Sequence, residues 1–183
     1  CMNKETKESL MTELKLNKSI DCPSDMKFQQ VTLGWPLKLK NSYNNGNDNG
    51  YYAITNYVDH NQNLNVIQDY HCGAVSFLGG WNHDGIDIIN FPYGWHKMQD
   101  DAVEMIAAAD GIIIAKHDGE FDMSCTLNLS AISNYVLLKH ADNSTTAYVH
   151  MKNGSVTTKA IGSTVQKGEY LGVVGSSGNS TFP

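Results

Sequence analysis

The sequence has no excess of basic residues. Thirteen lysines and arginines stand against nineteen aspartates and glutamates, a net charge of −6. A nucleic-acid binder needs a basic stripe to neutralise phosphates, so no nucleic-acid partner is expected. There is also no apolar run near the roughly 18–20 residues of a membrane span. The four cysteines, Cys1, Cys22, Cys72 and Cys125, form no CxxC, which argues against a thiolate zinc site. Long amphipathic helical stretches are scarce, while aromatics, glycine, asparagine and threonine are plentiful. That balance leans towards β structure with many turns. No signal peptide is seen. Cys1 as first residue fits the lipidated cysteine of a processed bacterial lipoprotein, a lipid anchor, or else an arbitrary fragment edge. In an exported protein a disulfide is the natural use for some cysteines. Cys72 with Cys125 is the expected pair, since both lie in the part that reads as folded, and buried free thiols are the alternative.

A chain of 183 residues holds one core of ordinary size, or a core with a small appendage. Residues 1–24 are polar and lysine-rich and read as a leader or tether. Residues 25–68 read as an N-terminal extension with short strands, one in "VTLGWPLKLK" and one in "YYAITNYV", separated by the loop "NSYNNGNDNG". The compact domain is expected over 69–183. There "GIDIIN" (85–90) is short, β-branched and bounded by turn residues. "AVEMIAAADGIIIAKHDG" (102–119) gives two strands with a bend at Asp110-Gly111. "NYVLLKHADNSTTAYVHMK" (134–152) is the clearest hairpin, turning at "ADNS". The closing glycines argue for tight β corners. The fold class is therefore all-β and antiparallel.

One short stretch carries candidate chemistry. In "WNHDGIDI" (81–88), His83 and Asp87 lie four apart around Gly85. Two ligands on one zinc ion have donors roughly 3–3.5 Å apart, given bonds of about 2.0–2.2 Å. A helix would meet that easily, but Gly79, Gly80 and Gly85 beside Ile86, Ile88 and Ile89 make helix improbable. A straight strand would spread the pair over about 13 Å. Chelation therefore requires a bend, and Gly85 supplies the place, with His83 in a turn and Asp87 starting a strand. Read in isolation, such a pair is usually surface decoration, and a catalytic zinc keeps three protein ligands. Further on, Tyr148 and His150 lie two apart, on one face if the strand is regular. A histidine there is usually a packed or surface residue. A catalytic one would face the reacting water as general base, or steady the oxyanion.

Taken together and in order, these pieces resemble the lysostaphin/LytM-type zinc metalloendopeptidases. That family shows H-x-G-x-D, an alanine-rich strand, Y-x-H-L and a glycine-rich closing hairpin. Here they read "HDGID" (83–87), "IAAADGIII" (106–114), "YVHM" (148–151) and "GSTVQKGEYLGVVGSSGNSTFP" (162–183). "YHCGAVSF", "DGEFDMSC" and "NYVDHN" resemble the secreted Bacteroidota-type branch. The resemblance spans roughly residues 69–183.

It implies a two-sheet antiparallel β fold with a groove lined by a zinc site. His83 and Asp87 match the first two zinc ligands, and His150 matches the catalytic histidine of Y-x-H-L. The family's third ligand is the second histidine of a closing H-L-H. Pro183 stands just where that motif would begin, so the site is expected to be incomplete and the chain as given inactive. Met151 replaces leucine, and "STFP" replaces S-T-G-P. Phe77 stands where relatives place a tyrosine that stabilises the oxyanion, leaving Tyr70 or Tyr148 to stand in. The implied activity is zinc-dependent hydrolysis of peptidoglycan peptide crosslinks by a secreted, periplasmic or surface-anchored bacterial protein. Two rivals differ in class. One is a catalytically inactive LytM-like module that binds cell wall or regulates other wall hydrolases. The other is a carbohydrate-binding domain with Trp81, Tyr93 and Trp95 as a sugar platform.

Overall fold

The computed structural model describes residues 30–43, 50–61, 63, 66–76 and 82–183. The readings that concern residues 1–24, Phe77 and Trp81 lie outside the described residues, as do Cys1 and Cys22.

The elements run β1 (Leu37–Leu39), β2 (Tyr52–Asn56), β3 (Asp87–Asn90), α1 (Gly94–Gln99), β4 (Val103–Ile106), β5 (Gly111–His117), β6 (Tyr135–Lys139), β7 (Thr145–Tyr148), β8 (Thr164–Val165) and β9 (Tyr170–Val173). All pairings are antiparallel. One sheet has the order β7-β6-β5-β8, a second β1-β4-β9, and β2 with β3 forms a separate two-stranded ribbon. The protein is nearly all β, as the composition indicated. The one short helix occupies "GWHKMQ", a stretch too brief to show a helical period. Lys152 caps its C-terminal end, donating from Nζ to Met98 O (2.9 Å), Gln99 O (3.2 Å) and Asp101 Oδ1 (2.5 Å).

The hairpin at 134–152 forms because its ends alternate and its turn is chemically specified. Asp142 Oδ1 accepts from the Ser144 N–H and hydroxyl, and Asn143 takes positive φ (66°). Val136 and Leu138 of β6, Ile113 of β5, Val165 of β8 and Leu171 of β9 share one buried cluster, so side chains of the two larger sheets meet in a common core. A second cluster joins Leu37 and Leu39 of β1 to Val103 and Val174. Residues before 69 thus contribute a strand to the β4–β9 sheet, through Leu37↔Met105 and Leu39↔Val103.

Two glycines bring the closing segment over the hairpin. A Cβ at Gly175 would lie 2.2 Å from the Lys152 nitrogen, and one at Gly178 (φ 75°) would lie 2.2 Å from Ser133 Oγ. Only glycine permits that approach. It fixes Ser177 between them, with its hydroxyl donating to Met151 O (2.7 Å) and accepting from the Asn134 N–H (2.9 Å).

The cysteine pairing is corrected. Cys72 and Cys125 are both free and exposed. Cys72 sits at positive φ (60°) in a turn wrapped around buried Asp69, whose carboxylate accepts from the His71, Gly73 and Val75 N–H groups. Cys125 lies in the long connection from β5 to β6.

Candidate metal centre

The chain bends at Gly85, and the bend closes the His83–Asp87 pair. His83 Nε2 lies 3.1 Å from Asp87 Oδ1. Asp87 is the first residue of β3, and His83 precedes it in the loop, where it is buried. Two backbone contacts hold the loop to the segment after β2. The Asp59 N–H donates to His83 O (2.8 Å), and His83 Nδ1 donates to Tyr57 O (3.0 Å). The register between β2 and β3 slips between Ile54 and Asn56, which brings Asn56 opposite Asp87. Asn56 Nδ2 then donates to Asp87 Oδ2 (2.9 Å).

This wiring commits the imidazole. With the Nδ1 proton given to Tyr57 O, Nε2 presents a lone pair to a carboxylate oxygen unless a proton or a cation sits between them. In the metal-free chain the carboxylate favours a proton there. The Asp87 hydrogen bond pushes the His83 pKa above its usual value, burial opposes it, and the Tyr57 carbonyl adds to the rise. For Asp87, burial works upward, but the His83 hydrogen bond and charge and the Asn56 amide outweigh it, and the carboxyl titrates below its usual range.

The pair fits a divalent cation. A 3.1 Å separation matches two donors on one zinc ion. A carbonyl on the far ring nitrogen is the outer contact that fixes the tautomer of a metal-ligating histidine. The fit is partial, because no group of three His, Cys, Asp or Glu side chains able to hold a metal occurs among the described residues.

His150 is held in a different way. β7 ends at Tyr148, and His150 takes positive φ (61°) in the following turn. The period-two rule that would give it a face in common with Tyr148 therefore does not reach it. His150 Nδ1 donates to Ser177 O (2.6 Å), with Ser133 Oγ 3.3 Å from the same nitrogen. The residue keeps some exposed surface, but protein closely surrounds its ring. This desolvation pushes the pKa down to about 4, against smaller upward pulls from the Ser177 carbonyl and the Asp87 charge. His150 is neutral at pH 7, with Nε2 as its remaining basic nitrogen. The influence of Asp87 on its titration ties it electrostatically to the His83–Asp87 pair.

The two tyrosines named as oxyanion candidates differ. Tyr148 is buried, and its hydroxyl accepts the Ala108 N–H (2.8 Å) and receives the Thr146 hydroxyl (3.3 Å), so it is a structural group. Tyr70 is exposed and packs edge-on against Tyr57, whose carbonyl holds His83 (ring centroids 4.8 Å). Of the sugar-platform residues, Tyr93 is exposed and Trp95 packs against Phe182. Sequence reasoning missed Asn56, Ser133 and Ser177 and the carbonyl of Tyr57. "NYVDHN" contained the first and last of these, but only as part of a family likeness.

The H-x-G-x-D stretch of this antiparallel β protein thus brings His83 and Asp87 together at the start of β3. Residues 82–183 match Peptidase family M23, and the chain belongs to that family. Neither a curated protein nor a solved structure matches the chain.

Proposed function

We propose that the chain is a zinc-dependent endopeptidase acting on peptide crosslinks of bacterial peptidoglycan, outside the cytoplasm. The observation that carries this reading is the 3.1 Å approach of His83 Nε2 to Asp87 Oδ1, with the far ring nitrogen held by Tyr57 O. Family membership supplies the peptidase class.

In this scheme His83 and Asp87 would hold the metal, which when bound would supply Lewis acidity to the reaction. Asn56 and the Tyr57 carbonyl orient the two ligands from the outer shell. His150, neutral and oriented by Ser177 O, accepts a proton at Nε2 and then returns it to the leaving amine. Tyr70, exposed and packed against Tyr57, is the tyrosine assigned to the developing oxyanion.

A second reading has its own support. With two candidate ligands and no group of three among the described residues, the chain also fits an inactive wall-binding or regulatory module. Metal content and turnover separate the two. An endopeptidase carries one zinc per chain and releases new amino groups from purified peptidoglycan. A protein with no stoichiometric zinc and no such release is the module.

A further inference from the structure

His150 holds a backbone conformation that a residue with a side chain adopts only where its surroundings impose it. Its φ of 61° lies in the left-handed region, where Cβ crowds the following carbonyl. The bond from Nδ1 to Ser177 O orients the ring and leaves the backbone of the turn to other groups. Those groups gather on the next residue. Met151 is fully buried, and both of its backbone polar groups are bonded. Its N–H donates to Asn134 O (3.0 Å), and its carbonyl accepts from Asn134 Nδ2 (3.1 Å) and from the Ser177 hydroxyl (2.7 Å).

Asn134, the residue before β6, is also fully buried, and its amide is fixed in orientation. Oδ1 accepts the Glu120 N–H (2.8 Å), while Nδ2 donates to Glu120 O (3.1 Å) as well as to Met151 O. Exchanging the two amide atoms would set an oxygen against two carbonyls. An apolar side chain could fill the same volume, but only an amide meets one peptide N–H and two carbonyls together. The Asn134 N–H donates to Ser177 Oγ (2.9 Å), which directs the hydroxyl proton towards Met151 O. Asn134, Met151 and Ser177 thus close a ring of hydrogen bonds from the start of β6, the turn after β7 and the segment after β9. Ser177 belongs to that ring through its hydroxyl and to the His150 imidazole through its carbonyl.

We infer that Asn134 and the Ser177 hydroxyl are positioning residues, which clamp Met151 so that His150 stays in its left-handed turn with Nδ1 on Ser177 O and Nε2 as the basic nitrogen. The bearing of this clamp on catalysis rests on the peptidase reading, which makes Nε2 the proton acceptor. With the clamp loosened, the turn relaxes and the Nδ1 proton loses its fixed acceptor. The ring then drifts towards the tautomer protonated at Nε2, which an unconstrained histidine prefers and which cannot accept a proton there.

The test is ¹⁵N spectroscopy of the imidazole rings in the metal-free protein at pH 7.5, with turnover on peptidoglycan measured in parallel at saturating zinc. Wild-type His150 should show one tautomer, protonated at Nδ1. Ser177→Ala keeps the carbonyl that receives this proton and removes only the hydroxyl. Asn134→Ala removes the side-chain arm of the clamp and keeps its backbone bonds. Each should bring the Nε2-protonated form to at least about a third of the population. Each should also lower turnover at least tenfold, part of the roughly 10²–10⁴-fold that a positioned base contributes, with zinc content unchanged. Val165→Ala loosens the same buried cluster as Met151 at a residue outside the clamp, and should keep the wild-type tautomer. Ser177→Ala deletes a single oxygen, so it decides the matter where Asn134→Ala does not fold. A wild-type tautomer in the clamp variants, an equal change in Val165→Ala, or undiminished turnover beside a shifted tautomer each overturns the clamp. The spectra need neither zinc nor turnover. A shifted tautomer in variants of a protein whose wild type releases no amino groups therefore fails the peptidase reading and keeps the hold on His150, and an active wild type with unshifted variants does the reverse.

Discussion

The two histidines of the site show how one fold sets one residue type to opposite tasks. His83 lies at the mouth of a two-stranded ribbon and has a carboxylate 3.1 Å from one ring nitrogen. His150 lies over the main core and has carbonyl and hydroxyl oxygens around one nitrogen. Each gives its Nδ1 proton to a backbone carbonyl, Tyr57 O or Ser177 O. The tautomer is therefore the same in both, and the difference lies in what Nε2 meets. At His83 the Asp87 charge favours a cation, whether proton or metal. At His150 desolvation dominates and favours the neutral base. A ligand and a proton acceptor are thereby distinguished by their surroundings.

The strongest way to break that contrast is to remove the chelating half. Asp87→Ala or His83→Ala should abolish stoichiometric zinc and reduce hydrolysis to background. Isothermal titration with zinc and a muropeptide release assay check both. Retention of zinc by either variant would mean that the ion is held elsewhere.

His150→Ala sharpens the contrast from the other side. A positioned general base contributes roughly 10²–10⁴-fold. The variant should lose rate in that range while zinc affinity stays within about threefold, since in this scheme His150 is a proton acceptor and not a ligand. A variant that lost its metal would make His150 a ligand and erase the distinction.

Asn56→Ala should give a smaller effect on the ligand side alone. Asn56 holds Asp87 Oδ2 while Oδ1 faces His83. Removing such an outer contact typically costs about 10–100-fold in metal affinity. Zinc affinity measured against a competing chelator should fall within that window, with the residual rate at saturating zinc close to wild type.

Much of this arrangement was legible in the sequence, and the gaps have physical causes. The 134–152 hairpin was readable because its turn residues and alternation agree. The closing of His83 onto Asp87 was readable because a helix was implausible, a straight strand was too long, and Gly85 offered the bend. The Tyr57 and Ser177 carbonyls were not readable, because a backbone acceptor has no side-chain signature. Nor was the turn of His150: "AYVHMK" continues a strand pattern, whereas β7 ends at Tyr148 and His150 takes positive φ. The Cys72–Cys125 expectation failed because a disulfide needs Cα atoms within about 7 Å, and membership of one folded region says nothing of that distance.

The smallest expected effect is on stability against pH in the metal-free chain, where the two histidines should pull in opposite directions. His150 has a folded pKa of about 4, below its ordinary value. Between about 6.5 and 4 the unfolded chain binds a proton there that the folded chain refuses, so stability falls as pH drops through that window. His83 has a raised folded pKa. Its contribution is fully present below about 6.5 and is lost as pH rises through the raised value. Asp87, with a lowered pKa, contributes above about 3.9 and loses that contribution as pH falls further. Urea midpoints measured from pH 4.5 to 8.5 should therefore show His150→Gln flattening only the acid limb and His83→Gln flattening only the alkaline limb. Because other carboxylates also titrate near pH 4, the comparison is between each variant and wild type at the same pH. If His150→Gln left the acid limb unchanged, desolvation would not be what lowers the pKa of that ring.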